Sequence, residues 1–417
     1  MFTEQLEKIQ LLINSERFDL AQNEINQLLI ENADEPYLFY LLATIKFQQE
    51  KYAEADELID KSIHLYPDAG FYYYFKACIK LASEKYQEVE PLLQTAIAIE
   101  PDNADFKAKL AQFKLLKKEY NSALDFANEA LELNPENILA LNTRSTALLK
   151  LNRKEESFET IEGALREDPD NSYTHSNYGW GLLEKGNHKK ALEHFRESLK
   201  SNPNNEYAQS GMIQALKADN IIYRGYLKYV FFMEKLTQKN QWIFIIGFYF
   251  LQKALKAVAK SNEALQPYLT PIIILLAVFA FSTWVINPIS NLLFRLNPYA
   301  KYMLDKNEIK SSNFVGISLI VFFIGLVCYF ITGNESFIAV AGFGFLMMVP
   351  FSTMFSVSKY KNVPLIITIL LGTIGCLAIA TSFSVNQLFN MFTAIFIFGF
   401  IAYQWLANFL IIKQSNI

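Results

Sequence analysis

The fold of this chain is decided by one short phrase that recurs four times, as EPDN at 100–103, NPEN at 134–137, DPDN at 168–171 and NPNN at 202–205. The four prolines of this phrase and Pro67 follow one another at intervals of 34 residues. Because proline cannot continue a helix and the surrounding acidic and amide residues favour turns, each phrase is predicted to follow the end of a helix. Five prolines at a single period indicate a repeated structural unit.

Small and aromatic residues recur at the same period between the prolines. They are Tyr52, Tyr86 and Tyr120; Ala55, Ala123, Ser157 and Ala191; and Ala96, Ala130, Ala164 and Ser198. The whole pattern resembles the tetratricopeptide repeat, a helix–turn–helix unit of 34 residues. The resemblance implies an all-α solenoid made of the units 2–35, 36–69, 70–103, 104–137, 138–171 and 172–205, with a capping helix at 206–217.

The resemblance also implies a concave groove lined by the first helix of each unit, through its second, fifth, ninth and twelfth residues. The candidate contacts are Tyr37, Tyr40, Phe71, Tyr74, Asn142, Thr146 and Trp180. The fourth residues, among them Phe39 and Tyr73, are expected to pack inward. One interpretation is a groove that holds a protein or peptide partner by aromatic contacts. The other is that the rings only fill gaps between helices. The family's clamp for a C-terminal carboxylate is absent, which argues against a receptor for chaperone tails.

The second half has the composition of a membrane domain. Residues 1–219 carry 24 Lys and Arg against 37 Asp and Glu, whereas residues 220–417 carry 14 against 5. Five long apolar stretches lie at about 269–294, 314–332, 336–357, 364–383 and 389–412, and a weaker one at 242–259. Each approaches the ~20 residues that a spanning helix needs. We therefore predict an α-helical transmembrane bundle of about six spans over 242–412.

Basic residues in the connections predict the orientation of these spans. The connection 295–313 holds Arg295, Lys301, Lys306 and Lys310, the connection 358–363 holds Lys359 and Lys361, and Lys413 follows the last span. The connections 333–335 and 384–388 hold no basic residue. By the positive-inside rule the repeats and the C-terminus are cytoplasmic and 242–259 spans the inner (plasma) membrane. The alternative has five spans and exported repeats, and the absence of a signal-peptide pattern in MFTEQLEK argues against it.

A basic and aromatic segment at 220–239 joins the two halves and is predicted to be an interfacial helix in the headgroup layer. Its cationic candidates are Arg224, Lys228, Lys235 and Lys239, and the tryptophan candidates for interface anchors are Trp242, Trp284 and Trp405. A role in closing the solenoid is compatible with this one.

The sequence shows no pattern of catalytic chemistry. All four histidines, His64, His175, His188 and His194, lie in the repeat half and are predicted to be surface residues. The three cysteines show no metal-ligand spacing, and no acidic residue lies inside a span. We predict no catalytic residue, cofactor, metal or nucleic acid, and therefore no enzyme. The predicted function is a multi-pass membrane scaffold or assembly protein whose groove binds protein or peptide partners. The alternative is a transporter or channel with a regulatory repeat domain.

Overall fold

The fold is all-α, as the sequence predicts. The structure, a computed structural model, describes residues 2–295, 304–355 and 362–414, and these ranges contain twenty helices and no strand. Lys301, Lys359 and Lys361, which the predicted topology uses, lie outside the described residues. The helices of the repeat half are α1 Phe2–Asn14, α2 Phe18–Glu31, α3 Pro36–Gln48, α4 Tyr52–Leu65, α5 Gly70–Ala82, α6 Tyr86–Ile99, α7 Ala104–Leu116, α8 Tyr120–Leu133, α9 Ile138–Lys150, α10 Lys154–Glu167, α11 Ser172–Lys185, α12 His188–Ser201 and α13 Glu206–Lys217.

Seven more helices follow, and six of them are long and apolar enough to cross a membrane. They are α14 Ile221–Lys235, α15 Gln238–Ser261, α16 Gln266–Phe294, α17 Lys306–Thr332, α18 Ser336–Thr353, α19 Asn362–Val385 and α20 Met391–Gln414. The weak apolar stretch at 242–259 lies inside α15, a continuous helix of 24 residues. At 1.5 Å per residue α15 is about 36 Å long, which exceeds the thickness of a hydrocarbon core.

Contacts between helices divide the chain into two compact units, Met1–Tyr178 and Gly179–Ile417. The boundary falls inside α11, so α12 and α13 belong to the same unit as the apolar helices. The predicted domain division, in contrast, follows the capping helix at 217.

The turn inside each repeat has a feature that the sequence did not suggest. Positive φ angles occur at Glu16, Glu50, Glu84, Lys118, Asn152 and Gly186, each 34 residues after the last. This conformation links the two helices of each unit, and it costs a residue with a Cβ about 1–2 kcal/mol. Only the last of the six turns has the glycine that would identify it. The small residues of the repeat pattern are buried where the helices cross: Ala55, Ala123, Ala130 and Ala191 have no exposed area.

Ion pairs between helices recur at one repeat position. Lys46, Lys80 and Lys114 lie 34 residues apart on the first helices of their units. The Lys80 ammonium is 5% exposed and lies 2.8 Å from carboxylate oxygens of both Asp56 and Glu88. Pairing of this kind offsets the large cost of removing an ammonium from water.

In the second unit, glycines allow α17 and α18 to pack at close range. A Cβ on Gly325 would lie 2.5 Å from the Ala341 nitrogen, and one on Gly344 would lie 2.5 Å from the Phe322 nitrogen. Small residues at such positions let backbones approach closely in membrane bundles. Two buried clusters fill the adjoining space, one centred on Val315 and Met348 and one on Met347 and Tyr403.

Candidate functional site

Five rings of the first unit form a continuous series across three repeats, which we call the aromatic ladder: Tyr37, Tyr40, Phe71, Tyr74 and Phe106. The ring centroids of successive members are 5.5, 4.8, 6.4 and 5.1 Å apart. The members lie on α3, α5 and α7, the first helices of consecutive units. Contacts at these distances are the offset and edge-to-face arrangements that aromatic rings prefer. Four of the five predicted aromatic groove residues, all but Trp180, are therefore brought together.

The ladder combines exposed and half-buried rings. Tyr37 is 36% exposed and Phe71 is 38% exposed, whereas Tyr40 and Tyr74 are half-buried and Phe106 is buried. Burial raises the pKa of the Tyr40 and Tyr74 hydroxyls, so both are neutral at physiological pH. The exposed rings supply apolar contact area on a base of packed rings. Tyr37 and Phe71 are therefore accessible from solvent, whereas Tyr40, Tyr74 and Phe106 pack between the helices.

The expectation that the fourth residue of the first helix packs inward fails for Phe39 of α3 and Tyr73 of α5. Tyr73 and Phe39 are only half-buried, and the Phe39 ring lies beneath the Lys61 ammonium, 5.6 Å from its centroid. The third residue is buried instead, as Leu38 at 0% and Tyr72 at 7% show. Phe106 occupies the same third position in the next unit, which is the signal that would have placed it in the ladder.

Asn142 and Thr146 serve the packing of α9. Asn142 is 1% exposed, donates to the Thr174 hydroxyl at 2.9 Å, and accepts from the Asn177 amide at 2.9 Å. The Thr146 hydroxyl donates to the Asn142 carbonyl at 2.9 Å. Because the Asn142 amide is buried and already bonded on both sides, a peptide cannot reach it without breaking these bonds.

Trp180 belongs to the second unit, where it packs between helices. Its indole nitrogen donates to the Tyr207 carbonyl at 3.1 Å, and its ring stacks on the Tyr207 ring at 5.4 Å. Its edge also meets the rings of Phe195 and Phe231, at 5.9 and 6.3 Å. These contacts tie α11 to α12, α13 and α14.

The cationic interface candidates lie on and just after α14, which ends at Lys235. Arg224 donates to the Ala218 carbonyl at 3.1 Å and so satisfies the end of α13. Lys235 forms a 2.6 Å ion pair with Glu184 of the last repeat, whose side chain is only 7% exposed. Lys228 and Lys239 are exposed. Lys235 therefore holds the last repeat against α14, Arg224 holds the residues that follow α13, and Lys228 and Lys239 present their charge outward.

The tryptophan candidates divide in the same way. Trp242 and Trp405 stack on each other with ring centroids 6.1 Å apart and planes 3° apart, joining the start of α15 to α20. Trp405 remains 42% exposed. Trp284 packs against both buried clusters of the bundle. Trp284 therefore acts as a packing residue of the bundle.

Two histidines predicted to be surface residues are buried. His175 and His188 are each 9% exposed, because α11 and α12 are covered by neighbouring helices. Within the described residues no group of three or more His, Cys, Asp and Glu side chains is arranged to hold a metal ion.

Comparison with known proteins identifies the repeats. Three sequence profiles of the tetratricopeptide repeat match residues 6–70, 80–128 and 172–205. These matches confirm the predicted resemblance for the repeat half, and the apolar half is assigned to no family. No curated protein matches the chain.

Solved structures similar to the chain include tetratricopeptide-repeat proteins. The chain is 21% identical to YrrB, described as a TPR protein with an unusual peptide-binding site, over 44% of this chain and 95% of that one, with a TM-score of 0.33. It is 16% identical to TTC0263, a TPR protein of Thermus thermophilus, over 44% and 99%, with a TM-score of 0.41. It is 21% identical to yeast Tom70, over 48% and 43%, with a TM-score of 0.41.

Proposed function

Because the N-terminal half contains tetratricopeptide repeats, we propose that the chain is a multi-pass membrane scaffold or assembly protein that binds protein or peptide partners through the aromatic ladder. The observation that carries the proposal is the exposure of Tyr37 and Phe71 at the edge of that ladder. Proteins with this repeat act as protein-interaction scaffolds, and aromatic residues are enriched among the few residues that dominate binding energy.

The ladder favours a partner with apolar or aromatic anchor side chains. Tyr37 and Phe71 would lie against the anchors, while Tyr40 and Tyr74 hold those two rings in place through the contacts at 5.5, 4.8 and 6.4 Å. Rings that are already packed lose little conformational entropy on binding, which is the advantage of a preorganised surface. Tyrosine hydroxyls at the same edge can satisfy polar groups of a peptide backbone.

The proposed orientation places the repeats and the C-terminus in the cytoplasm. Contacts inside the second unit support it, because Lys217 of α13 and Tyr223 of α14 both reach Asn287 near the C-terminal end of α16, at 3.3 and 3.1 Å. The end of α13 and the start of α14 therefore lie on the same side of the membrane as the end of α16 and the connection that begins with Arg295. An α15 that spans the membrane returns the chain to this side at the end of α16, as the six-span topology requires.

The test is site-specific photo-cross-linking of the full-length chain in its own membrane. A photoreactive phenylalanine analogue is placed at Tyr37 or Phe71, and the matched control carries it at Ile30, which is 83% exposed on the second helix α2. We expect discrete cross-linked protein partners from the ladder positions and none from position 30. Equal cross-linking from all three positions would contradict the assignment of the groove.

Substitution measures the energy of the contact. We expect Tyr37→Ala combined with Phe71→Ala to weaken binding of the identified partner by about 30-fold or more, since loss of a central aromatic contact typically costs ~2 kcal/mol or more. Leu133→Ala removes a ring-free side chain that is similarly exposed, at 40%, and should leave binding unchanged. Full binding by the double variant would exclude the ladder as the site.

Orientation is tested independently by protease treatment. We expect the repeats to be cleaved only after the cells are opened, and cleavage from outside intact cells would refute the topology.

A further inference from the structure

A cavity of about 500 Å³ with both polar and apolar walls lies in the second unit between α12, α13, the start of α14 and the end of α16. Its polar lining consists of His188, Lys189, Lys217, Asp219, Asn220 and Ser290, and Leu293 and Phe294 of α16 form part of its apolar wall. It is separate from the aromatic ladder, which belongs to the first unit. The cavity adjoins the C-terminal end of a predicted membrane span, where an aqueous face and a lipid face meet.

Lys217 is buried in this cavity without an ion-pair partner among the described residues. Its side chain is 4% exposed, and its ammonium donates to the Asn287 side-chain oxygen at 3.3 Å and lies 5.7 and 5.8 Å from the ring centroids of Tyr223 and Phe294. In the described part of the chain no carboxylate lies within ion-pair distance of this ammonium. A buried ammonium normally has such a partner, as Lys80 does, because an unpaired charge is expensive to remove from water.

His188 is a second buried group with unused hydrogen-bonding capacity. It is 9% exposed, and neither of its ring nitrogens has a hydrogen-bond partner among the described residues. The closest carboxylate oxygen, on Asp219, is 3.5 Å from Nε2 and belongs to a side chain that is 84% exposed. Asp219 can therefore turn into solvent and leave the imidazole to a ligand.

The N-terminus of α12 also faces the cavity, because His188 and Lys189 are the first two residues of that helix. Asn220 is the N-cap of α14, and its side-chain oxygen already accepts from the Ile222 and Tyr223 backbone N–H groups. The first turn of a helix carries unpaired backbone N–H groups and the positive end of the helix dipole. The cavity thus brings two lysines, a histidine, the Ser290 hydroxyl and the N-terminus of α12 around one space. The opposing carboxylates are the exposed Asp219 in its lining and Glu308, whose negative charge acts on Lys217 from outside the lining.

We propose that this cavity binds a phosphate group, held by Lys217, His188 and Lys189. A phosphate presents several oxygens to donors that converge from different directions, and its negative charge supplies the partner that Lys217 lacks. The apolar wall formed by Leu293 and Phe294 fits the glycerol and acyl portion of an anionic phospholipid, whose headgroup would reach the cavity from the inner leaflet. A soluble phosphate compound has the same binding chemistry without the acyl chains.

The experiment uses the full-length chain purified in a zwitterionic detergent and measures bound lipid by native mass spectrometry. The probes are phosphatidylglycerol, phosphatidylcholine as the zwitterionic control, and inorganic phosphate as a competitor. We expect retention of phosphatidylglycerol over phosphatidylcholine, and a loss of affinity of about 10-fold or more for Lys217→Met and for His188→Gln, as is typical when a hydrogen bond to a charged group is removed. Lys190→Gln removes a neighbouring exposed charge of α12 outside the cavity and should bind as the unmodified chain does.

The outcomes separate the two sources of the phosphate. Binding of phosphatidylglycerol that depends on Lys217 supports the lipid headgroup, whereas binding of inorganic phosphate alone, again dependent on Lys217, supports a soluble phosphate. Should Lys217→Met fail to fold, His188→Gln and Lys189→Gln decide by the same measurement. Absence of binding to both probes, or equal binding by the cavity variants and Lys190→Gln, would overturn the proposal.

Discussion

Replacement of Lys217 by methionine should stabilise the second unit at neutral pH. Burial lowers the pKa of Lys217 from 10.5 to about 8. At pH 7 the charged amine must therefore be kept in an unfavourable site, and the difference in pKa corresponds to about 3 kcal/mol of lost folding free energy. Methionine has a similar length and would pack between the rings of Tyr223 and Phe294. The Asn287 side-chain oxygen keeps the Tyr223 hydroxyl at 3.1 Å, a donor that it shares with the Gln214 side-chain oxygen at 2.6 Å.

The pH dependence gives the sharper test of this reasoning. The folded chain binds fewer protons at Lys217 than the unfolded chain between pH 8 and pH 10.5, so stability rises with pH across this window. The cost of the lysine falls from about 3 kcal/mol at pH 7 to about 1 kcal/mol at pH 10 by the same linkage. The stabilisation from Lys217→Met should shrink correspondingly as the pH is raised. The other ionisable groups around the cavity, His188, Lys189, Asp219 and nearby Glu308, remain in both proteins. The attraction between Glu308 and Lys217 is lost in the variant, and its effect is already contained in the pKa of about 8 because it acts to raise that pKa.

Tryptophan fluorescence is a suitable readout, because all four tryptophans lie in the second unit. Thermal unfolding is followed in the same detergent at pH 7 and pH 10, for the unmodified chain, Lys217→Met and the exposed control Lys190→Met. We expect a higher melting temperature for Lys217→Met at pH 7, a smaller difference at pH 10, and no such pattern for the control. A loss of stability at both pH values, or a gain that does not change with pH, would refute the argument.

Three further predictions concern backbone geometry and packing. Gly186→Ala should destabilise the chain by about 1 kcal/mol in thermal unfolding, because φ is +89° there and no atom lies within 4 Å of the added Cβ. Glu50→Gly should stabilise the chain, because it relieves the same kind of backbone strain. Changes of the same sign in the two variants would exclude backbone strain as the cause. Gly344→Val should destabilise the bundle by about 1–3 kcal/mol, or prevent its folding, because the added side chain forces α17 away from α18. In the control Gly342→Val the added Cβ has no atom within 4 Å. Equal melting curves of the two variants, followed by tryptophan fluorescence, would contradict the close packing of α17 and α18. Asn142→Ala should destabilise the first unit by about 1–3 kcal/mol, measured as faster amide exchange in α9, because its two partners on α11 lose their hydrogen bonds; unchanged exchange would contradict that role.

The repeat architecture was predictable because its signals are local. In five of the six units proline directly follows the C-cap of the second helix, as Pro101 follows Glu100, and the buried alanines lie where the period requires them. The apolar spans are similarly local, since length and absence of charge suffice to indicate them. The positive-φ turns were not predictable because five of the six lack glycine, and their conformation is set by the two helices that they join.

The buried side of the first helices α3 and α5 was predicted one residue out of register, for a physical reason. FYYYF at 71–75 has no polar residue to mark its exposed side, so periodicity alone cannot separate Tyr72, which is buried, from Tyr73, which is not. The burial of Lys217 was also inaccessible, because its partner Asn287 lies 70 residues away on a different helix. The environment of Lys217 follows from tertiary packing, and no local pattern encodes it.

The placement of the last repeat with the apolar helices affects how the protein is made. Synthesis proceeds from the N-terminus, so α11 leaves the ribosome before the partners that complete its packing. Glu184 can form its ion pair only after Lys235 has been synthesised, and Trp180 can make its ring contact only after Phe231 has been synthesised. The first unit can therefore fold during translation, whereas the end of α11 completes its packing only after α14 has left the ribosome.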